Sequence, residues 1–188
     1  MKKSHVFDPK HVAILEMEDR KLWENPEEIL GAVEIKSDFV AADLGCGSGF
    51  FTVPLSKKAR KVYGVDVQKE MLGFLEQKIQ RLKIKNIVPL LSKGNNIPLE
   101  DDTVDLLVSV NTLHEFNDKE RTIEEIRRVL KRSGKALIAD FKKENTGVGP
   151  PVAIRVPKKQ AVGLFEKKGF TSLKMQDLSY HYLLVFSK

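Results

Sequence analysis

Asp43-Leu44-Gly45-Cys46-Gly47-Ser48-Gly49 is the stretch on which the reading of this 188-residue chain turns. Phe39-Val40-Ala41-Ala42 before it is a short apolar run of the kind a buried strand uses, and Phe50-Phe51-Thr52-Val53 after it opens a helix that the pattern carries to Lys58. Glycine at alternate positions lets the backbone adopt conformations closed to other residues and approach a ligand, while the start of the next helix offers unpaired N–H groups. The spacing predicts a strand end, a ligand-binding turn and a helix start. It is not the dinucleotide fingerprint G-x-G-x-x-G, which needs glycine where Phe50 stands. A pyrophosphate requires several inward N–H donors, whereas a zwitterionic amino-acid group also requires acceptors for its ammonium, which Asp43 and the Gly45 carbonyl can supply. A plain strand-to-helix turn is the alternative.

Downstream, Val62-Tyr63-Gly64-Val65-Asp66 reads as a second buried strand that ends in an acid. Asp66 lies 21 positions after Gly45, close to the separation at which a βαβ unit sets a carboxylate beside a bound ribose; helix capping is its other reading. From Gln68 to about Leu82, Leu72, Leu75, Ile79 and Leu82 form one buried stripe. Ile87 to Leu91 gives a third strand, and Pro89 puts it at a sheet edge. Leu106 to Val110 is apolar throughout, as in a central strand covered on both faces, and it runs into Asn111-Thr112-Leu113-His114-Glu115. Ligands gather at the carboxyl ends of such strands, so Asn111, Thr112, His114 and Glu115 are expected to face a cleft. Asp118 caps a helix whose inner face is Ile123, Ile126, Val129 and Leu130. A fifth strand, Ala136 to Asp140, a Gly/Pro-rich connection over 141–157, a helix over 158–168 closed by Gly169, and two strands joined by a hairpin at 177–179 complete the order. Alternation of strands and helices predicts an α/β fold: a doubly wound, mostly parallel, seven-stranded Rossmann-like sheet with a C-terminal antiparallel hairpin.

Several of these segments resemble the class I S-adenosylmethionine-dependent methyltransferases, and within them the small ubiquinone- and menaquinone-biosynthesis type. Asp43 to Gly49 is similar to that family's first motif, Asp66 to its ribose carboxylate, Ile97-Pro98-Leu99 through Val104-Asp105 to the run before its fourth strand, and Leu113-His114 to a Leu-His pair. Arg127-Arg128-Val129-Leu130-Lys131-Arg132-Ser133-Gly134-Lys135 resembles its Arg-Val-Leu-Lys-Pro-Gly-Gly turn, with Ser133 for Pro and Lys135 for the second Gly. The family places an Asp at the adenine amino group, where this chain has Lys93 or Asn95; only the Asn carbonyl can accept from that amino group. The resemblance implies S-adenosylmethionine as cofactor, with Asp43, Gly45, Cys46, Gly47, Gly49, Asp66, Val67, Asn95, Asn96 and Asn111 around it. It covers about residues 37–188, the expected catalytic core of a single domain, with residues 1–36 as an N-terminal helical lid or cap in which Val12, Leu15, Met17 and Trp23 supply the apolar positions.

Methyl transfer is an in-line displacement that chiefly needs orientation and exclusion of water. Where the acceptor is a hydroxyl or an acidic carbon a base is required, and His114 is the leading candidate because histidine ordinarily titrates near neutral pH. Glu115 and Asp140 follow. Arg155 and Asp140 are candidate substrate contacts, with a surface role as the other reading of Arg155. The lone Cys46 excludes an internal disulfide framework and a cysteine-based zinc site, and no metal is expected.

Hydrophobic content of 41% and charged content of 31% fit a globular protein, apolar runs are strand-sized, and no signal-peptide core follows the start, so a cytoplasmic protein without a membrane span is expected. The net charge of +6 is uneven: residues 141–188 carry 9 basic and 3 acidic side chains. That excess could draw in nucleic acid, although its lysine pairs lack interleaved aromatics. Three functions are therefore carried forward: a methyltransferase acting on a small molecule, one acting on RNA or protein, and a non-catalytic S-adenosylmethionine-binding module with a partner subunit. The sequence leaves the oligomeric state open.

Overall fold

The computed structural model describes residues 9–11 and 20–188. The expected helical positions Val12, Leu15 and Met17 lie outside the described residues. After them come α1 (Arg20–Trp23) and α2 (Pro26–Leu30). Asn25 starts α2: its side-chain oxygen accepts from the Glu27 N–H at 2.9 Å, and Pro26 fills the position where a missing N–H costs nothing.

Seven strands form one sheet: β1 (Val40–Leu44), β2 (Lys61–Asp66), β3 (Ile87–Leu91), β4 (Val104–Val110), β5 (Leu130–Phe141), β6 (Thr171–Asp177) and β7 (His181–Ser187). Their order is β3-β2-β1-β4-β5-β7-β6. The first five are parallel, and β7 lies antiparallel between β5 and β6. The doubly wound fold and its terminal hairpin are thus as expected, and β3 with its proline is an edge.

Helices α3 (Thr52–Ser56), α4 (Lys69–Leu82), α5 (Lys119–Val129) and α6 (Lys158–Lys167) cover the sheet. Strand alternation divides the core between two layers. Ala42, Leu107, Ile138, Tyr182, Leu184 and Phe186 pack with Ile123 and Ile126 of α5 and Phe165 of α6. Ala41, Val62, Leu106, Leu137, Leu183 and Val185 pack with Ile29, Leu30, Leu55, Leu72 and Leu75 of α2, α3 and α4.

Two boundaries differ from expectation. The helix after the glycine turn is only five residues long, since Phe51 offers no side-chain cap and Pro54 supplies no N–H. The fifth strand begins at Leu130, not Ala136, because Leu130 already pairs with Val104 before the Ser133-Gly134 turn brings Lys135 against Leu106.

Candidate functional site

The carboxyl ends of β1 and β2 meet at the glycine turn. Gly45 has φ +75°, and a Cβ there would lie 2.2 Å from Cγ2 of Thr112, so no other residue fits. The Gly45 and Cys46 N–H groups both donate to the Val65 carbonyl, at 2.8 and 3.1 Å, which ties the turn to β2. Gly47 donates to Oδ2 of Asp66 at 2.8 Å, while Oδ1 of Asp66 accepts from Gln68 N–H at 2.9 Å. The Val67 N–H also hydrogen-bonds to this carboxylate, so the start of the next segment wraps around Asp66. Asp43 is buried at the end of β1 and accepts from the Thr52 hydroxyl at 2.6 Å. Burial pushes its carboxyl up to about 7 against the pull of the Thr52 hydrogen bond, and the nearby Asp66 charge adds to the rise.

Cys46 packs into the turn, with its thiol pushed well above the ordinary range by burial and by Asp43 and Asp66. That disposes of it as a nucleophile. Val67, directly after Asp66, leaves an apolar side chain 48% exposed beside the turn. In the loop after β3, Ser92 Oγ donates to the Asn96 carbonyl at 2.7 Å, Lys93 and Asn96 are exposed, and Oδ1 of the half-buried Asn95 accepts from Thr122 at 3.3 Å.

The other half of the cleft gathers at the ends of β4, β5 and β7. Asn111 takes a left-handed conformation (φ +57°), donates its N–H to Ala139 and gives its side-chain amide to Glu24 from the segment between α1 and α2. Its Oδ1 is buried without a partner. Glu24 is buried too, paired with Arg20 at 2.5 Å and 4.0 Å from Nε2 of His181. Burial raises its carboxyl, with Arg20 opposing. His181 is packed against Phe141 (ring centroids 4.3 Å apart) and stacked under Trp23 (6.3 Å); burial pushes it down to about 4, so it is neutral.

His114 sits on a single 3-10 turn, Leu113–Glu115. Asp140 holds it twice: Oδ2 accepts the His114 backbone N–H at 2.9 Å, and Oδ1 lies 2.8 Å from Nδ1. Asp140 has no exposed surface and also accepts from Phe141 N–H, so it stands behind His114 instead of in front of a substrate. Glu115 Oε1 lies 3.8 Å from the other ring nitrogen, Nε2. Arg155 is neither at the surface nor open to an acid. Its guanidinium donates to the carbonyls of Lys142, Glu144, Val148 and Pro150 and to the Thr146 hydroxyl, bracing the 142–150 loop.

Glu24 and His181 had no signal in the sequence. The first is an ordinary acid before a helix cap, and the second alternates into a strand face. Among the described residues, no group of three His, Cys, Asp or Glu side chains converges to hold a metal ion, and no helix is long and apolar enough to cross a membrane.

Residues 42–138 match the family described as a methyltransferase domain. A solved SAM-dependent methyltransferase from Aquifex aeolicus is 32% identical and superposes over 97% of this chain and 99% of its own, with a TM-score of 0.92. Demethylmenaquinone methyltransferase from Bacillus mycoides is 27% identical over 128 residues, 66% of this chain and 53% of its own. An uncharacterized methyltransferase of Bacillus subtilis, YcgJ, is 26% identical over 65% of this chain and 49% of its own. The chain thus spans about half the length of these curated relatives. A glycine turn tied to a ribose-distance carboxylate, on a sheet of this order, agrees with that match over more than half of the sequence: the chain belongs to the S-adenosylmethionine-dependent methyltransferase family.

Proposed function

We propose that the chain transfers a methyl group from S-adenosylmethionine to a small organic molecule, with His114 as the base that readies the acceptor. The cradle suits such a cofactor: the glycine turn is pinned to β2 through the Val65 carbonyl and Asp66, the Asp66 carboxylate at the end of β2 can accept from a ribose hydroxyl, the buried Oδ1 of Asn111 has no partner and can accept from an ammonium, and Val67 exposes an apolar side chain for a flat base. Asp43, Gly47, Gly49 and Asn111 would surround the amino-acid end, Cys46 would pack beneath it, and Asn95 and Asn96 would border the adenine. When bound, the cofactor supplies an electrophilic methyl on a positively charged sulfur.

The observation that carries this reading is the His114–Asp140 pair. An acceptor at both the backbone N–H and Nδ1 fixes the ring and puts its proton on Nδ1, leaving Nε2 with the lone pair that can take a proton from a hydroxyl or acidic carbon. Trp23, partly exposed over the buried Phe141 and His181 rings, supplies an aromatic face that suits a planar acceptor. The name of one relative, demethylmenaquinone methyltransferase, likewise gives a small molecule as acceptor.

The test incubates the protein with methyl-labelled S-adenosylmethionine and a fractionated cell extract. Label in the low-molecular-weight fraction, with release of S-adenosylhomocysteine, is expected. Label confined to RNA or protein would overturn the small-molecule assignment, and cofactor binding without transfer to any fraction would make the chain a binding module.

A further inference from the structure

The charge excess that the sequence places in residues 141–188 is offset in part by acids from elsewhere in the chain, Glu120, Glu124 and Asp102. Lys158 pairs with Asp177, Lys167 with Glu120, Lys168 with Glu120 and Glu124, and Lys188 with Asp102, at 2.6–2.9 Å. One group of cations without a carboxylate gathers where β2 and β3 begin. Asn86 donates to the carbonyls of Ser56 and Ala59 at 2.8 and 3.0 Å, so the turn bearing Lys57 and Arg60 is clamped against the turn bearing Lys83 and Lys85. Lys61 lies between them, its ammonium over the Tyr63 ring at 4.5 Å. Among the described residues none of these five cations has an ion-pair partner.

Three of them, Arg60, Lys61 and Lys85, line a hollow of about 450 Å³ together with Val40, Tyr63, Asn86, Val88 and Thr103, with no carboxylate in the lining, and Lys57 and Lys83 sit on the same two turns. Asp105, beside Val40, is already held by Lys131. The hollow exists because residues 92–103 cross from β3 to β4 without a helix, leaving this part of the sheet face with only loop beside it.

We propose that this hollow is a binding surface for the phosphate backbone of single-stranded nucleic acid. Four cations on the two clamped turns and Lys61 at the start of β2, none with a carboxylate partner, provide phosphate contacts, and release of counterions supplies the driving force. A peptide partner is less well served. The large exposed apolar side chains, Val67, Leu82, Leu91, Leu173 and Met175, are all outside the hollow, so it has no apolar centre of the kind a protein interface uses. Strand addition at the adjoining edge is blunted as well. The carbonyl of Asn86 and the N–H of Ser92 bond to β2, which turns residues 87, 89 and 91 outward, and Pro89 has no N–H to give there. Strand β1, five residues or about 17 Å of extended chain, separates the hollow from the glycine turn, so this contact tethers the protein and does not itself present a methyl acceptor.

The test is fluorescence anisotropy with a labelled twelve-nucleotide oligouridine, titrated at several NaCl concentrations. Four or five neutralised phosphates predict that affinity falls by about 50-fold or more between 50 and 200 mM salt. The triple variant Lys57→Glu, Arg60→Glu, Lys85→Glu should bind at least about tenfold more weakly. A variant of equal charge change elsewhere, Lys159→Glu, Lys167→Glu, Lys174→Glu, should stay within about threefold of the parent. Thermal shift by S-adenosylhomocysteine, read separately, should be the same in all three proteins, so failure of the nucleic-acid surface and failure of the cofactor reading are distinguishable. No binding by the parent at 50 mM salt, equal loss in both triple variants, or tighter binding of a twelve-residue polyglutamate than of the oligouridine would each overturn the proposal.

Discussion

The two halves of the cleft are built by different means. The half formed by β1 and β2 is made of backbone: two N–H groups on one carbonyl, a third on Asp66, and glycines where no side chain fits. The half formed by β4, β5 and β7 is made of side chains drawn from distant segments, His114 on Asp140 and Asn111 on Glu24. Backbone geometry specifies one cofactor rigidly, whereas side-chain pairs can be exchanged without rebuilding the sheet. In the function proposed above the first half holds most of the cofactor, Asn111 of the second half reaches its amino-acid end, and the acceptor lies beside His114.

That contrast can be broken most forcefully at Gly45. Gly45→Ala drives a Cβ into Thr112 at positive φ, and should remove cofactor binding while costing about 3 kcal/mol, a fall in Tm of about 6 to 12 °C. Calorimetry with S-adenosylhomocysteine and a melting curve check both; if Gly45→Ala binds normally, the backbone half is not rigid. Next is Asp140→Asn, which removes the charge behind His114 and should lower turnover about 100-fold while leaving cofactor affinity within about threefold. Parallel loss of both quantities would show that the two halves are not separable. Asp66→Ala should act in the opposite sense, weakening S-adenosylhomocysteine by about tenfold with turnover at saturating cofactor much less changed. Unchanged binding would remove the ribose assignment.

The smallest effect concerns Asp43. A folded carboxyl raised to about 7 means that the native state holds a proton the unfolded chain has lost, so stability falls as pH rises from about 4 to 7 and levels off above. Asp43→Asn should therefore melt about 4 °C or more above the parent at pH 8 and close to it at pH 4. A difference independent of pH would mean that the Thr52 hydroxyl outweighs the burial.

The backbone half was legible because its determinants are local and typed. Glycine spacing, an acid 21 residues on and a proline at position 89 each have few physical explanations. The side-chain half was legible only as far as the ends of strands: His114 and Asp140 were both marked, but not that the second holds the first across 26 residues. Arg155 shows the same limit, since nothing in a lone arginine announces that carbonyls of a loop will surround it. Glu24 meets Asn111 from 87 residues away, and charge counting along the chain misplaced the basic surface for the same reason. Contacts made only in three dimensions have no period and no spacing.

Glu24 carries a consequence for binding strength. Its carboxylate already holds the Asn111 amide, so any incoming group that needs that amide meets a resident competitor tethered at very high local concentration. Measured affinity is then the intrinsic affinity scaled by the fraction of molecules with Glu24 withdrawn. Ligands that use only the glycine turn escape this handicap, so the N-terminal segment taxes the two classes of ligand unequally.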